Sequence, residues 1–494
     1  MPTIYDTIII GSGFGGATTA FHLSQTQDKV MLLERGPWRD TQPVRNMGIA
    51  KRAPLPANKH FYSHVLRGLS ASILPKNGLM TNSKGLYELH YSKDMTSVCS
   101  SGVGGGSHVY TAMNVRPAAK DYWDGHSADV NAKDMEAHYK WMIEKMGARV
   151  PTLKDQLPNS TEARYQSSEL FSVDKKVPQP EMSVDMDPIS TSQGNNSFFG
   201  SETGSKRTLD DVLIKPALEA GLNVKDLIEC LDICRCEVST ARYRIKCFDH
   251  TDKRYRYYLA NNVVLAAGTI NTLKLLFNSQ ASNGLNDMPN LGLGFGGNGD
   301  FPAFWPVNEP GADFSVGTPS HGRIAVKNGK DVNLDLNLTQ YGFNGFGQIP
   351  LLPKGLKAYF QRNLFFVGMG ADKADGVVSS KNGKLHYQYI YKNSPIFSQI
   401  TNAFDDISKR SGTDIKYTTQ RLLTVHPLGG ARLSDSEKIG VVNGKGEVFK
   451  NPGLYIADAA ALPAAPGAAP SMTIAAWACH VSKNIANNKK SEKK

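Results

Sequence analysis

Cysteine is scarce. Six residues in a chain of 494 are too few and too scattered for a disulfide framework. Cys230, Cys234 and Cys236 lie close together. Their Cys-x3-Cys-x-Cys spacing lacks the second pair that a structural zinc site needs, so the run reads as a strand with buried thiols, and no metal is expected. Long apolar runs are also missing, and none reaches the roughly 20 residues that cross a bilayer. No basic leader with an apolar core precedes Tyr5–Ile10, which already belongs to the fold, so the expectation is a soluble, cytoplasmic protein. Acidic residues are outnumbered, 45 against 56 Lys and Arg, for a net charge of +11. Part of that excess is the tail Lys489, Lys490, Lys493 and Lys494. No recognition helix, zinc finger or RNA-binding motif accompanies it, so nucleic acid is not an expected partner, and transient contact with an anionic membrane surface stays as the minor alternative. Internal repeats and low-complexity segments are absent, and 40% hydrophobic residues suffice for a packed core.

The first pattern present is a β-branched run, Thr7–Ile10, leading into Gly11-Ser12-Gly13-Phe14-Gly15-Gly16 and a helix-like Ala17–Ser24. Glycines at a strand–helix junction allow a tight turn, admit a pyrophosphate to bare backbone and let helix and strand pack closely. The helix N-terminus offers unpaired N–H groups to the phosphates. A second apolar run, Val30–Leu33, ends on Glu34, where an acidic side chain accepts hydrogen bonds from ribose hydroxyls. Together these parts predict dinucleotide binding, with FAD and NAD both open at this point.

Ser101–Ser107 carries glycines at 102, 104, 105 and 106, flanked by apolar residues, and reads as a buried ligand loop rather than a linker. A helix is expected over Lys133–Lys145 and another from Arg207 to Ala220, then strand and turn over Leu222–Val238. Asn262–Leu265 reads as a buried strand entering a helix at Asn271–Phe277. From about Asn290 to Ser411, aromatic strands alternate with Asn-Gly turn signals at 328, 344 and 382, which suits a sheet-rich substrate domain. The C-terminal part holds His426-Pro427-Leu428-Gly429-Gly430, Gly453–Asp458, and Pro466–Ile474 leading into a final helix.

In this order the segments resemble the glucose–methanol–choline (GMC) oxidoreductases, with the cholesterol oxidases as the nearest branch. The resemblance is strongest at Tyr5–Gly36, Ser101–Pro117, Val263–Leu276 and Val425–Ile485. It implies an α/β fold in which an FAD-binding Rossmann-like domain is assembled from discontinuous segments, 1–45, 95–120, 205–290 and 415–490. A sheet-rich α+β substrate-binding domain would comprise 46–94, 121–204 and 291–414. It places Gly11, Gly13, Phe14, Gly15 and Gly16 at the pyrophosphate and Glu34 at the ribose. Gly102, Gly105, Gly106, Ser107, Tyr110 and Met113 would flank the flavin, Cys230 would meet adenine, and Asp458, Ala459, Ser471 and Met472 would approach the ribityl side. His426 would stand over the flavin, where an imidazole titrating near neutrality can take an alcohol proton while hydride leaves carbon.

Two positions depart from the family. Ala469 stands where an asparagine orients the substrate oxygen. Gln348, in Phe346-Gly347-Gln348-Ile349-Pro350, is matched to the glutamate that moves the sterol double bond, and an amide cannot shuttle that proton. The resemblance therefore implies FAD-dependent oxidation of an apolar, sterol-like alcohol, with oxygen or another acceptor as oxidant. Non-oxidative or light-driven flavin chemistry and flavin binding without turnover remain open. The aromatics Phe301, Phe304, Trp305, Phe360 and Phe365 read as pocket wall or as core, core being the commoner outcome at sheet spacing.

Overall fold

The computed structural model describes residues 3–152, 180–185, 198–236, 240–308, 310–316, 318–324, 327–328, 331–332 and 336–492. Most of the polar stretch before Lys206, Val238, Gly329 and the last two lysines lie outside these residues.

The β-branched run forms strand Ile4–Ile10, whose last four residues are buried. It pairs in parallel with Val30–Leu33 on one side and with Arg254–Leu265 on the other. Where these strands are buried on both faces, at Ile8–Ile10, Val30–Leu33 and Val263–Leu265, they are continuously apolar, as parallel strands covered by helices must be. Arg254–Leu265 starts eight residues before the expected strand at 262, because its first half pairs antiparallel with Tyr243–Asp249. Its second half takes Leu454–Ile456 as a parallel neighbour. Ile228–Arg235 and Asn223–Lys225 complete a seven-stranded sheet. Helix Phe14–Ser24 packs against Ser471–Glu492, which also contacts Ala132–Lys145. Thus chain from both termini covers one sheet.

The helix expected from Arg207 to Ala220 is present over a shorter span, with a π-helical first part, Asp210–Ile214, running directly into the α-helix Lys215–Glu219. Pro216 has no N–H to donate, and a π-type turn is one way for a helix to absorb an irregularity.

A second, four-stranded antiparallel sheet runs Phe301–Trp305, Leu364–Gly370, Leu336–Tyr341, Ser320–Ile324. Its period of two sorts the aromatics. Phe301, Trp305 and Phe366 are buried, with Phe301 and Phe366 packed on Phe404 of helix Pro395–Ser411. Pro302, Phe365 and Val367 point to the opposite face and line a cavity. Of the five aromatics singled out from sequence, only Phe365 reaches that wall. A third sheet joins Leu422–Thr424, Met95–Ser100, Tyr87–Tyr91, Leu66–Ser70 and Leu79–Met80. The division expected between 94 and 95 falls inside it, since Tyr87–Tyr91 pairs with Met95–Ser100.

Candidate active site

The glycine turn after the first strand is set by close contacts. Gly11 has φ +97°, and a Cβ there would stand 2.3 Å from the Ala266 carbonyl oxygen. A Cβ on Gly16 would meet the Gly11 oxygen at 1.8 Å, which fixes helix against strand. Gly13 differs: a Cβ there meets nothing within 4 Å, and the residue faces the cavity. It caps helix Phe14–Ser24 with no side-chain cap bond, so the helix N–H groups stay available to an anion.

The second glycine loop lies against the first. Gly105 has φ +53°, and a Cβ on it would stand 2.5 Å from Gly13 Cα. Ser12 links the two loops, donating its hydroxyl to Glu34 Oε2 at 2.7 Å and accepting from Gly104 N–H at 3.2 Å. Glu34, 5% exposed, also accepts from Ser12 N–H at 3.1 Å and Gly36 N–H at 2.8 Å. A cavity of about 1060 Å³ runs from this cradle.

Its wall includes Gly11, Gly13, Phe14, Gly15, Glu34, Gly105, Gly106, Tyr110, Met113, Cys230, His426, Asp458, Ala459, Ala469 and Ser471. One cavity thus gathers residues from most of the chain's length. Gly16, Gly102, Ser107 and Met472 are not on the wall. Gly16 and Gly102 shape the turns behind it, Ser107 donates to Gly104 O at 2.7 Å, and Met472 is buried in the core. An uncapped helix N-terminus, two bare-backbone loops and a carboxylate ending the second strand fit a flavin dinucleotide.

Cys230 and Cys234 lie on strand Ile228–Arg235, half-buried like Cys236, and Cys230 Sγ stands 3.3 Å from Cys247 Sγ. Asp458 accepts from Gly268 N–H at 2.9 Å, Thr272 Oγ at 2.5 Å and Ala460 N–H at 2.9 Å. It therefore ties two strand–turn junctions together, and burial raises its carboxyl to about 6. Tyr110 sits edge-on to Phe14, with ring centres 5.6 Å apart.

The structure does not bring Gln348 to the cavity. It occupies the short turn Phe346–Gln348, off the wall. The chain leaves the wall at Tyr341 and turns away at Gly345, whose φ is +83°. The motif match fell on this turn because the central sheet resembles the family only loosely.

At the apolar end, His426 Nδ1 lies 2.8 Å from Asp300 Oδ1. The Asp300 side chain is 2% exposed and that of His426 21%. Asp300 Oδ2 also accepts from Thr424 Oγ at 2.8 Å and Val425 N–H at 3.0 Å. A carboxylate so held assigns the Nδ1–H tautomer and turns the Nε2 lone pair toward the cavity.

Sequence reading missed Asp300, which stands 126 residues from its partner. It missed Asn298 as well, whose side chain donates to Ala468 O at 2.9 Å and accepts from Gly467 N–H at 3.0 Å. One loop therefore grips the His426 segment with Asp300 and the Ala469 segment with Asn298. Asp372 anchors that loop, accepting from Gly297 N–H at 2.9 Å and Gly299 N–H at 3.3 Å. The available signal was the run Gly296-Gly297-Asn298-Gly299-Asp300, two polar side chains in a glycine-rich turn.

Beside His426 and Ala469, the wall is formed by Phe198, Pro302, Tyr341, Phe365 and Val367. Tyr341 stacks on Phe365 at 5.2 Å, and burial pushes its phenol up to about 12.

Comparison with known proteins gives concordant matches. The GMC oxidoreductase family models match residues 5–295 and 390–478. The chain is 23% identical to a cholesterol oxidase of Acinetobacter baumannii, over 96% of this chain and 93% of that one. It is 25% identical to a cholesterol oxidase of Mycobacterium tuberculosis, over 96% and 90%. The solved structure of a fungal aryl-alcohol oxidase aligns with a TM-score of 0.63 at 12% identity, covering 99% of this chain and all of that one, a likeness of fold.

Proposed function

The chain belongs to the GMC oxidoreductase family, with FAD as its cofactor and the CH–OH group of donors as its target, and from that premise we propose that it oxidises a bulky apolar alcohol, sterol-like by default, to the carbonyl compound. The observation that carries this reading is the Asp300–His426 pair facing the apolar end of a cavity whose other end is the glycine cradle. Bound FAD supplies the hydride-accepting power. The chain's own residues do the rest. Asp300 holds Nδ1–H of His426, and Nε2 takes the proton of the substrate hydroxyl, a contribution of roughly 10²–10⁴ in rate.

Phe198, Pro302, Phe365 and Val367 exclude water and accept an apolar body. The N-terminus of helix Phe14–Ser24, with Gly13 and Gly105, receives the pyrophosphate, and Glu34 takes the ribose. Asp458 fixes the turns beside them. The cholesterol oxidases among the relatives support a sterol-like substrate. Oxygen or another acceptor completes the cycle.

Ala469 favours one competing reading, a flavoprotein without alcohol turnover, because a methyl gives the substrate oxygen no partner. Anaerobic addition of sterols, long-chain alcohols and aryl alcohols to the purified yellow protein separates the two. Bleaching by a bulky apolar alcohol is expected. No bleaching by any of them would favour the competing reading.

A further inference from the structure

We propose that the cavity has an outer chamber that binds a free nucleotide beside the FAD site. It lies between helix Thr269–Ala281 and the antiparallel ribbon formed by Ile228–Arg235, Tyr243–Asp249 and the first half of Arg254–Leu265. Its position rests on the cofactor reading above, in which Glu34 takes the ribose and Cys230, on the outermost strand of the ribbon, meets adenine. The cavity wall continues past Cys230 to Lys246 and Phe248 on the second strand and to Tyr255 on the third. Glu229 pairs with Phe248, and Phe248 with Tyr255, so Tyr255 stands two strand spacings, about 10 Å, from the strand that meets adenine. An adenine seated at Cys230 leaves that stretch of wall uncovered.

Charge selects an anion. Lys246 on the ribbon, Lys274 on the helix and the exposed Lys76 line this part of the cavity. Among the described residues none of the three is paired with a carboxylate. The acids on the same wall are engaged elsewhere: Glu229 holds Arg67 and His250, Glu88 holds Arg35, and Asp232, opposite Lys246, accepts from Ser282 Oγ at 2.9 Å. The N-terminus of helix Phe14–Ser24 receives the FAD pyrophosphate, so these lysines are left for a second anion.

Rings select a flat base. Lys246 Nζ stands 4.8 Å from the centre of the Tyr255 ring, Arg244 lies 5.8 Å over Tyr257, and Phe248 meets Tyr255 edge-on at 5.6 Å. The strand pleat puts Arg244, Lys246 and Phe248 on one face of Tyr243–Asp249, with the buried Ile245 and Cys247 on the other. Tyr255 and Tyr257 are both 57% exposed. Single exposed tyrosines are ordinary, but a ring beside an unpaired lysine on a cavity wall supplies both halves of nucleotide recognition, a surface for the base and a cation for the phosphates.

Calorimetric titration of the full-length holoprotein at low salt tests this, with ADP, inorganic pyrophosphate and adenosine as probes. ADP should bind at one site per chain, more tightly than pyrophosphate or adenosine, with FAD absorbance unchanged. Lys246→Glu should weaken both ADP and pyrophosphate about tenfold or more, since a cation at the phosphates becomes a like charge. Tyr255→Ala should weaken ADP about tenfold and leave pyrophosphate as in wild type, the usual loss when a stacked base is deprived of its ring. Tyr255 is largely exposed, so its variant should melt with the wild type.

The proposal is overturned if ADP does not bind the holoprotein, or if either Lys246→Glu or Tyr255→Ala binds it as well as wild type. It is equally overturned if ADP releases FAD, which would assign the chamber to the cofactor's own adenylate. Binding of a single-stranded oligonucleotide far more tightly than ADP would overturn it too, making the ribbon a nucleic-acid surface. The titration uses no alcohol, so its failure leaves the oxidation reading standing. Protein that carries no FAD would sink the cofactor reading alone, and ADP binding that both variants weaken would still place a nucleotide in the outer chamber.

Discussion

His426 does not stand alone. Its partner Asp300 spends one oxygen on Nδ1 and the other on Thr424 and Val425, so the carboxylate orients the ring and the backbone that carries it. Asp300→Asn should lower kcat by about 10-fold or more, because an amide no longer fixes the Nδ1–H tautomer of the imidazole, with KM and FAD content near wild type. A purely structural aspartate would instead lower the melting temperature and release FAD. Ala469 tests the other side of the substrate oxygen. Ala469→Asn should raise the rate of flavin reduction roughly tenfold if about 1.4 kcal/mol of transition-state stabilisation is regained. A fall with FAD retained would show a pocket shaped around the methyl. Gln348 lies off the wall, so Gln348→Glu should leave a sterol product with its double bond in place, and chromatography showing a conjugated enone would contradict this. That His426 and Glu34 face one cavity could be anticipated because each sits in a local motif complete within a few residues. Asp300 and Asn298 could not, because their partners are distant in sequence and only the fold brings them together.

At the scale of elements, strands with continuous apolar runs were read most faithfully: Val30–Leu33 forms as expected, and Ile4–Ile10 contains the run from Thr7. Asn382-Gly383 makes its hairpin between Gly376–Lys381 and Lys384–Gln388, both turn residues having positive φ. Helix Ala132–Lys145 matches its expected span to one residue, with Asn131 capping Asp134 N–H. The π-helical part at Asp210–Ile214 was illegible because no periodicity distinguishes it from an ordinary helix. The packing of Phe14–Ser24, Ala132–Lys145 and Ser471–Glu492 carries its own pH dependence. Burial lowers both His22 and His138 to about 4, with Lys483 adding to each, Lys145 to His22 and His480 to His138, while Asp134 opposes at His138. The unfolded chain takes up these protons from about 6.5 downward and the folded chain only near 4, so stability should fall as pH drops through that window. Glu88 and Glu229 act lower. Burial raises them, but Arg35 and the other partners of Glu88, and His250 and Arg67 for Glu229, hold both at about 2, so their contribution is lost below about 4.5. Melting curves between pH 7 and pH 4 should show a decline that His138→Gln flattens; an unchanged slope in that variant would contradict the assignment.

The whole molecule places its chemistry where two sheets meet. The seven-stranded sheet supplies the glycine cradle, Glu34 and Asp458, and the four-stranded sheet supplies the apolar wall and, through the loop before Phe301, Asp300. Neither contains a complete site. Among the described residues no helix is long and apolar enough to cross a membrane. The α/β fold class was legible because its segments carry distinct periodicities, while the sheet joining 87–91 to 95–100 was not, since a hairpin gives no sign of which further strands it will join. The central claim is that His426, held by Asp300, removes the alcohol proton in a cavity built around FAD. Anaerobic stopped-flow reduction by the best alcohol, wild type against His426→Ala, tests it most directly. The account predicts that the variant keeps its FAD and is reduced about 10² times more slowly or worse, with His426→Gln less impaired; reduction of His426→Ala at the wild-type rate would contradict it.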